Sequence, residues 1–153
     1  MNEFERLTPI ASMQGENEED TRLLKGLFAE ATRFLKAHSW CREIEDARFA
    51  FGIGGVVAIF LFRIVPAGHS DDFLWLIVGD MPTHYLSPDE VSGPRAVMER
   101  YIRLMEDWIR AVRTGVEPDV ILTVEVPTDE EHADLLAGRM DFLEREVLPL
   151  VPE

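Results

Sequence analysis

Few residues of this chain have types and spacings that could do chemistry. His69, Asp71 and Asp72 resemble a metal-binding cluster, and Asp80 with His84 resemble a second one. The predicted strand between the two groups spans about 25 Å, so the groups cannot share one ion. Each group alone is too small to supply the four ligands that are typical of a structural zinc site. We therefore predict no metal site and no cofactor.

Two other patterns resemble phosphate-binding or catalytic motifs. Gly52, Gly54 and Gly55 are spaced like part of a phosphate loop, but such a loop leads into a helix, and a second apolar run follows here. His132 lies in a predicted helix that lacks the second histidine of a zinc-protease motif. The sequence thus indicates no catalytic residue. The sequence does not determine whether the protein is an enzyme, and the lack of a catalytic motif favours a protein that is not one.

One group of polar residues is a better candidate for a ligand site. In an antiparallel meander, the Gly54-Gly55 turn and the end of the third strand lie at the same end of the sheet. The segment after that strand carries an acid, an imidazole and a phenol, which would line a small cleft. The predicted ligand-binding residues are Gly54, Gly55, Asp80, His84 and Tyr85. The alternative is that Gly79-Asp80-Met81-Pro82 is only a structural turn.

Two apolar, aromatic-rich runs in the middle of the chain predict the sheet that positions these residues. Runs with so few charges must be buried on one or both faces, so helices have to cover the sheet. Gly54-Gly55 divides the first run and is typical of a two-residue hairpin turn; the second run, Phe73 to Val78, is the third strand. The turn predicts these cross-strand pairs: Ile53 with Val56, Phe51 with Ala58, Phe49 with Phe60, Ala47 with Phe62, and Asp46 with Arg63.

Three amphipathic helices are predicted to cover the sheet. The first begins at Asp20 or Thr21 and ends near His38, and the second begins at Pro94 and ends just before Gly115. The third begins with a capping box formed by Thr128 and Glu131 and ends at Pro149. The residues expected to face inward from the third helix are Leu135, Leu136, Met140, Leu143 and Val147.

These elements predict an α+β fold. We expect a three- or four-stranded antiparallel meander sheet covered by three helices, in the order α-β-β-β-α-(β)-α. The optional strand is Val120 to Val126, which alternates but is bracketed by prolines. A flexible acidic lead-in is predicted for residues 1–19, followed by a single domain over residues 20–153.

The charge of the chain limits its partners. The formal net charge is −14 and the pI is about 4.6, so the surface repels the phosphates of nucleic acids and allows attraction to a basic protein surface. The alternative is that the negative charge only keeps the protein in solution. Surplus acid is concentrated on the third helix, where the predicted partner-binding residues are Glu130, Glu131, Asp134 and Asp141. The first functional hypothesis, slightly favoured, is therefore an acidic protein-binding module of the immunity or inhibitor kind. The second is a small-molecule binder or enzyme that uses the Gly54 to Tyr85 cleft.

The apolar runs and the single cysteine predict a cytoplasmic location. The longest apolar run, Gly52 to Phe62, is much shorter than the roughly 20 residues of a membrane span. Cys41 has no partner for an internal disulfide, and the first residues lack the basic-then-apolar order of a secretory signal. We therefore expect no membrane association.

The edges of the predicted sheet suggest self-association. The third strand has no charge and no proline, so its outer edge would pair with another strand if it were open. Either Val120 to Val126 covers that edge within the chain, or two copies form a homodimer there.

Four segments of the chain resemble a family of small bacterial proteins of unassigned function. The segments are Phe51-Gly52-Ile53-Gly54-Gly55, Phe60-Leu61-Phe62, Trp75-Leu76-Ile77-Val78-Gly79-Asp80-Met81-Pro82, and the helix from Tyr101 to Trp108. The resemblance spans roughly residues 20 to 150. It implies a bacterial cytosolic domain and assigns no activity.

Overall fold

The computed structural model of the protein describes residues 3–68, 72–120, 122 and 126–153, and these form an α+β fold. The strands are β1 (Thr8–Pro9), β2 (Cys41–Ile53), β3 (Val57–Pro66), β4 (Phe73–Gly79) and β5 (Met81–Leu86). The helices are α1 (Glu3–Arg6), α2 (Glu18–Lys36), α3 (Pro94–Arg113) and α4 (Glu130–Phe142). Shorter helical turns lie at Ile10–Ser12, Leu143–Val147 and Leu148–Leu150.

The sheet is an antiparallel meander in the order β1-β2-β3-β4-β5. This confirms the predicted α+β class and the covered antiparallel sheet. Within the described residues it has five strands instead of the predicted three or four; β1 and β5 were not predicted. Since β5 pairs with β4, the third-strand edge on which the homodimer argument depended is not open. Most of the proposed strand Val120 to Val126 lies outside the described residues.

The hairpin between β2 and β3 differs from the predicted register near its turn. The pairs of Phe49 with Phe60, Ala47 with Phe62 and Asp46 with Arg63 are confirmed. The predicted pairs of Ile53 with Val56 and of Phe51 with Ala58 are wrong: Ile53 pairs with Val57, and Phe51 pairs with Ile59.

A β-bulge reconciles the two ends of this hairpin. The turn has three residues, 54–56, and Gly55 adopts a left-handed φ of +77° there. One extra residue, Ala50, then compensates between Phe49 and Phe51. As a result Phe49 and Phe51 pack on opposite faces of the sheet. The chain thereby buries aromatic side chains in both cores.

Helices cover both faces of the sheet. On one face, α2 packs Leu24, Ala31 and Leu35 over the side chains of β3 and β4, including Phe60 and Phe62. On the other face, α3 and α4 cover the remaining side chains of these strands. The buried residues of this second core include Val57, Ile59, Leu61, Trp75, Ile77, Met98, Tyr101, Met105, Trp108, Leu136 and Met140. Because β3 and β4 are buried on both faces, apolar residues follow one another along these strands and do not alternate with polar residues.

Two helix starts differ from their predicted positions. Asn17 caps α2 by accepting a hydrogen bond from the Asp20 amide, so the cap precedes the predicted Asp20 or Thr21. Asp129 caps α4 by accepting from the His132 amide, in place of the Thr128 capping box. The start of α3 at Pro94 agrees with the predicted start.

Part of the predicted lead-in packs against the sheet. Phe4 is buried with its ring 5.4 Å from that of Phe73, and the Arg48 guanidinium lies 4.5 Å above the Phe4 ring. Met13 is also buried. Aromatic and cation–π contacts of this kind each stabilise a packed segment modestly. The division into a lead-in and a single domain stays a prediction.

Candidate functional site

The structure brings together only some of the predicted ligand-binding residues. Gly55 and Asp80 lie side by side at one end of the sheet, where the Asp80 amide donates to the Val56 carbonyl at 3.0 Å. Gly54 is adjacent, but its amide donates to the Asp20 carboxylate at 2.6 Å and is therefore occupied. The two hairpin turns, 54–56 and 79–80, thus lie at the same end of the sheet.

A cavity of about 220 Å³ lies beside these turns and under the end of α4. We call this cavity the recess; its lining residues are Gly55, Val56, Asp80, Met81, Arg139, Phe142 and Leu143. Arg139 forms an ion pair with the Asp80 carboxylate and also donates from Nε to the Asp80 carbonyl at 3.1 Å. The single acid of the recess is therefore paired, and most of the wall is apolar.

His84 and Tyr85 lie elsewhere, along β5. His84 pairs with Ile77 and Tyr85 with Leu76, so both are interior residues of a strand that the sequence did not predict. His84 lies four residues after Asp80, which corresponds to a rise of about 13 Å along a strand. The predicted single cleft is therefore two sites. The ligand-binding role of these residues stays a prediction.

The second site is a larger cavity of about 530 Å³ at the β5 edge of the sheet, here called the edge cavity. Its wall combines apolar side chains with His84, Tyr85, Glu90, Arg100 and Asp119. Burial of His84, which is only 7% exposed, and the nearby Arg100 guanidinium lower the pKa of His84 to about 4. The imidazole is thus neutral at pH 7 and can accept or donate a hydrogen bond without carrying charge.

Tyr101 supports the edge cavity from below. Its hydroxyl donates to the Pro82 carbonyl at 2.7 Å, and its ring contacts that of His84 edge-on at a centroid distance of 6.2 Å. Burial raises the pKa of Tyr101 far above that of an ordinary phenol. Tyr101 therefore stays protonated and holds β5 on α3.

Tyr85 belongs to a half-buried aromatic cluster that the sequence predictions missed. Its ring lies 5.2 Å from that of Trp40, which in turn lies 4.8 Å from the ring of His38. Phe34 completes the cluster at 4.6 Å from His38. The cluster joins the end of α2 to β5, and no sequence spacing indicates it, because its members come from three separate elements.

The four predicted partner-binding acids are all exposed on α4, but two of them are paired. Asp134 accepts from Arg113 of α3 at 2.8 Å, and Asp141 forms an ion pair with Arg145 at 2.9 Å. Within the described part of the chain, the structure shows no ion pair for Glu130 or Glu131. Of these four carboxylates, the two without an ion pair among the described residues therefore lie in the first turn of α4.

Two large apolar side chains are exposed on the same helix. Leu135 is 62% exposed and Phe142 is 43% exposed, and a separation of seven residues places them within about 20° of each other around the helix axis. Gly138 lies between them, and a Cβ built there would meet no atom within 4 Å. We call Leu135, Gly138 and Phe142 the α4 stripe. Because Phe142 also lines the recess, the stripe and the recess form one continuous surface.

The inward position predicted for Leu135 is wrong. Ala133, which was not predicted, is buried in its place. The inward positions predicted for the other four residues are confirmed: Leu136, Met140, Leu143 and Val147. Leu135 and Leu136 point about 100° apart around the helix axis, and of the two only Leu136 faces the core here.

Two classes of site are not found in the described residues. None of the helices there is long and apolar enough to cross a membrane. Among those same residues, no three His, Cys, Asp or Glu side chains are grouped so that they could hold a metal ion. His69 and Asp71 of the first metal-like cluster lie outside the described residues.

No family model matches the chain, and comparisons with curated proteins and with solved structures find no significant match. The recess, the α4 stripe and the edge cavity are the features of the described residues that bear on function.

Proposed function

We propose that the protein is an acidic protein-binding module whose contact surface is the α4 stripe with its flanking carboxylates. The observation that carries this proposal is the alignment of exposed Leu135 and Phe142 along a helix rich in exposed acids. Exposed apolar surface rimmed by polar residues marks protein-interaction sites, and an amphipathic helix binds such a surface through its apolar face. A cytoplasmic role as an inhibitor or immunity protein is part of the same proposal.

The partner is a basic amphipathic helix. Its apolar residues, spaced by three, four and seven positions, would cover Leu135 and Phe142. Its lysines and arginines would face Glu131, which lies one helical turn before Leu135. This attraction mainly speeds association and makes binding sensitive to salt.

The apolar part of this contact can be estimated. Burying a Leu or Phe side chain completely contributes about 1.5–3 kcal/mol. Because roughly half of Leu135 and Phe142 is already covered, their remaining area contributes about 2–3 kcal/mol together. A micromolar complex needs about 8 kcal/mol, so further contacts beside the stripe are required.

Selection from a displayed peptide library tests the proposal. Random peptides of about 16 residues, roughly four helical turns, are panned on the immobilised full chain. We expect enrichment of peptides with net positive charge and helically spaced apolar residues. Their affinity should fall at least about tenfold for Leu135→Glu, because the substitution removes buried apolar area and places a charge against the apolar face of the peptide helix.

Leu150→Glu is the matched control. Leu150 is 62% exposed, like Leu135, but lies beyond α4 and outside the stripe. Affinity should be unchanged in this variant. Equal losses in both variants, no loss in Leu135→Glu, or enrichment of acidic peptides would contradict the proposal.

A second candidate function is small-molecule binding in the edge cavity. It is favoured by one observation: a neutral, buried His84 shares this cavity with the Arg100 guanidinium and the carboxylates of Glu90 and Asp119. Such a mixture of apolar wall and charges of both signs suits a small zwitterion or polar metabolite.

A thermal-shift screen of amino acids, amines and carboxylic acids tests this second function. A ligand of the cavity should raise the melting temperature of the unmodified chain and of Arg103→Gln, an exposed control on α3, but not that of Arg100→Gln. If no compound distinguishes the two arginine variants, the second function is wrong.

A further inference from the structure

We propose that the recess is an anchor pocket that receives one apolar side chain, aromatic or leucine, of the protein partner. The proposal rests on the proposed function and specifies its chemistry, because it names where the partner inserts its central residue. Interfaces of this kind concentrate their binding energy in a few side chains held in desolvated pockets. The recess adjoins the proposed contact surface, because Phe142 belongs both to the α4 stripe and to the wall of the recess.

The size of the recess suits a single ring or branched aliphatic group. Its volume is about 220 Å³. A protein cavity of about 150 Å³ with apolar walls holds a benzene molecule. The recess can therefore accept a phenyl or isobutyl group together with its Cβ.

The lining selects an apolar group over a charged one. Val56, Met81, Phe142 and Leu143 supply the apolar wall, and the methionine can adjust its shape to an incoming group. Asp80 is already paired with Arg139. A lysine anchor would have to displace that arginine, whereas an apolar anchor leaves the ion pair in place and buries no uncompensated charge.

Hydrogen bonds hold the recess open before any partner arrives. The Asp80 amide donates to the Val56 carbonyl at 3.0 Å, which ties the 79–80 turn to the 54–56 turn. The Asp20 carboxylate accepts from the Gly54 amide at 2.6 Å, which ties the latter turn to α2. Because these turns are already ordered, little conformational entropy is lost when a partner side chain fills the recess.

An NMR titration of the ¹⁵N-labelled full chain tests the anchor pocket without any peptide partner. The probes are N-acetyl-L-phenylalanine amide and N-acetyl-L-leucine amide, with N-acetyl-L-lysine amide as the charged comparison. We expect saturable shifts at the amides of Gly55, Val56 and Phe142, with dissociation constants on the order of 10 mM for the apolar probes. The lysine probe should produce no saturable shift at these amides.

Filling the recess should abolish these shifts. Val56→Trp places a large ring in the recess from one wall, and Met81→Trp does so from the other, so a folding defect in one variant does not remove the test. Leu150→Trp adds the same ring at an exposed position outside the recess and should leave the titration unchanged. Shifts that persist in a folded recess variant, or a preference for the lysine probe, would overturn the proposal.

The two proposals fail in different ways. If peptides selected from the library lose affinity in Leu135→Glu but keep it in Val56→Trp and Met81→Trp, the α4 surface stands and the anchor pocket is wrong. If the apolar probes fill the recess but no selected peptide depends on Leu135, the protein-binding function is wrong. If both proposals are right, the recess variants reduce peptide affinity at least about tenfold, because the peptide loses the binding free energy of one buried side chain.

Discussion

Gly79 is the last residue of β4, and we expect a single added methyl group there to destabilise the protein. A Cβ built on Gly79 lies 2.1 Å from the Val56 carbonyl oxygen and 2.9 Å from the Val57 Cα. Both are backbone atoms, so relief requires β3 and β4 to separate. The same carbonyl accepts the Asp80 amide at 3.0 Å, and this hydrogen bond would be strained or lost.

The size of the Gly79→Ala effect follows from these contacts. Overpacking of a well-packed region costs about 1–3 kcal/mol, and a lost hydrogen bond costs about 1 kcal/mol. The smaller entropy of the unfolded alanine chain offsets up to about 1 kcal/mol. A net destabilisation of about 2–3 kcal/mol should lower the melting temperature of a chain of this length by roughly 4–12 °C.

Urea unfolding measures this change through the fluorescence of the buried Trp75 and Trp108. Gly138→Ala is the control, because a Cβ at that position of α4 meets no atom within 4 Å. The control should stabilise the protein by about 1 kcal/mol through helix propensity. If Gly79→Ala unfolds within about 0.5 kcal/mol of the unmodified chain, the close approach of the two turns described here is wrong.

Four further measurements test other parts of the structure. The folded pKa of His84, about 4, is below the unfolded value near 6.5, so the unfolded chain binds one more proton than the folded chain in this range. The free energy of unfolding should therefore fall by about 3 kcal/mol as pH drops from 6.5 to 4. His84→Phe should remove that part of the pH dependence, and an unchanged slope in this variant would contradict the prediction. Asp20→Ala should cost about 2 kcal/mol in urea unfolding, because the Gly54 amide loses a charged acceptor. Tyr101→Phe should cost about 1–2 kcal/mol in the same assay, because the Pro82 carbonyl loses its donor. Light scattering tests the homodimer, which a mass near the 17.5 kDa of one chain would exclude.

Much of the fold was predictable because local and long-range preferences agree. β4 and α3 were predicted almost to the residue, since an uninterrupted apolar run and a helix bracketed by Pro94 and Gly115 each have one stable arrangement. β5 was not predicted, because Met81–Leu86 contains a proline and two polar residues and becomes a strand only by pairing with β4. The β-bulge at Ala50 was missed for a similar reason. Its presence depends both on the length of the hairpin turn and on the packing of apolar side chains on the two faces of the sheet.

The candidate site was predictable to the same extent. Gly55 and Asp80 meet because an antiparallel meander must bring those two turns to one end of the sheet. His84 and Tyr85 do not join them. In a strand, the rise per residue carries them about 13 Å or more away from Asp80, and the alternation of side chains sends them to opposite faces.

The sequence by itself determined that this chain folds as an acidic α+β domain, because the apolar periodicity, the helix-bounding residues and the net charge are local or summed properties. Only the tertiary structure decided which surface is available to a partner. Leu135 and Leu136 are equally apolar, and the packing of α4 against α3 and the sheet selects Leu136 and Ala133 for the core. That choice leaves Leu135 exposed in line with Phe142, beside a recess built from turns that lie far apart in the chain.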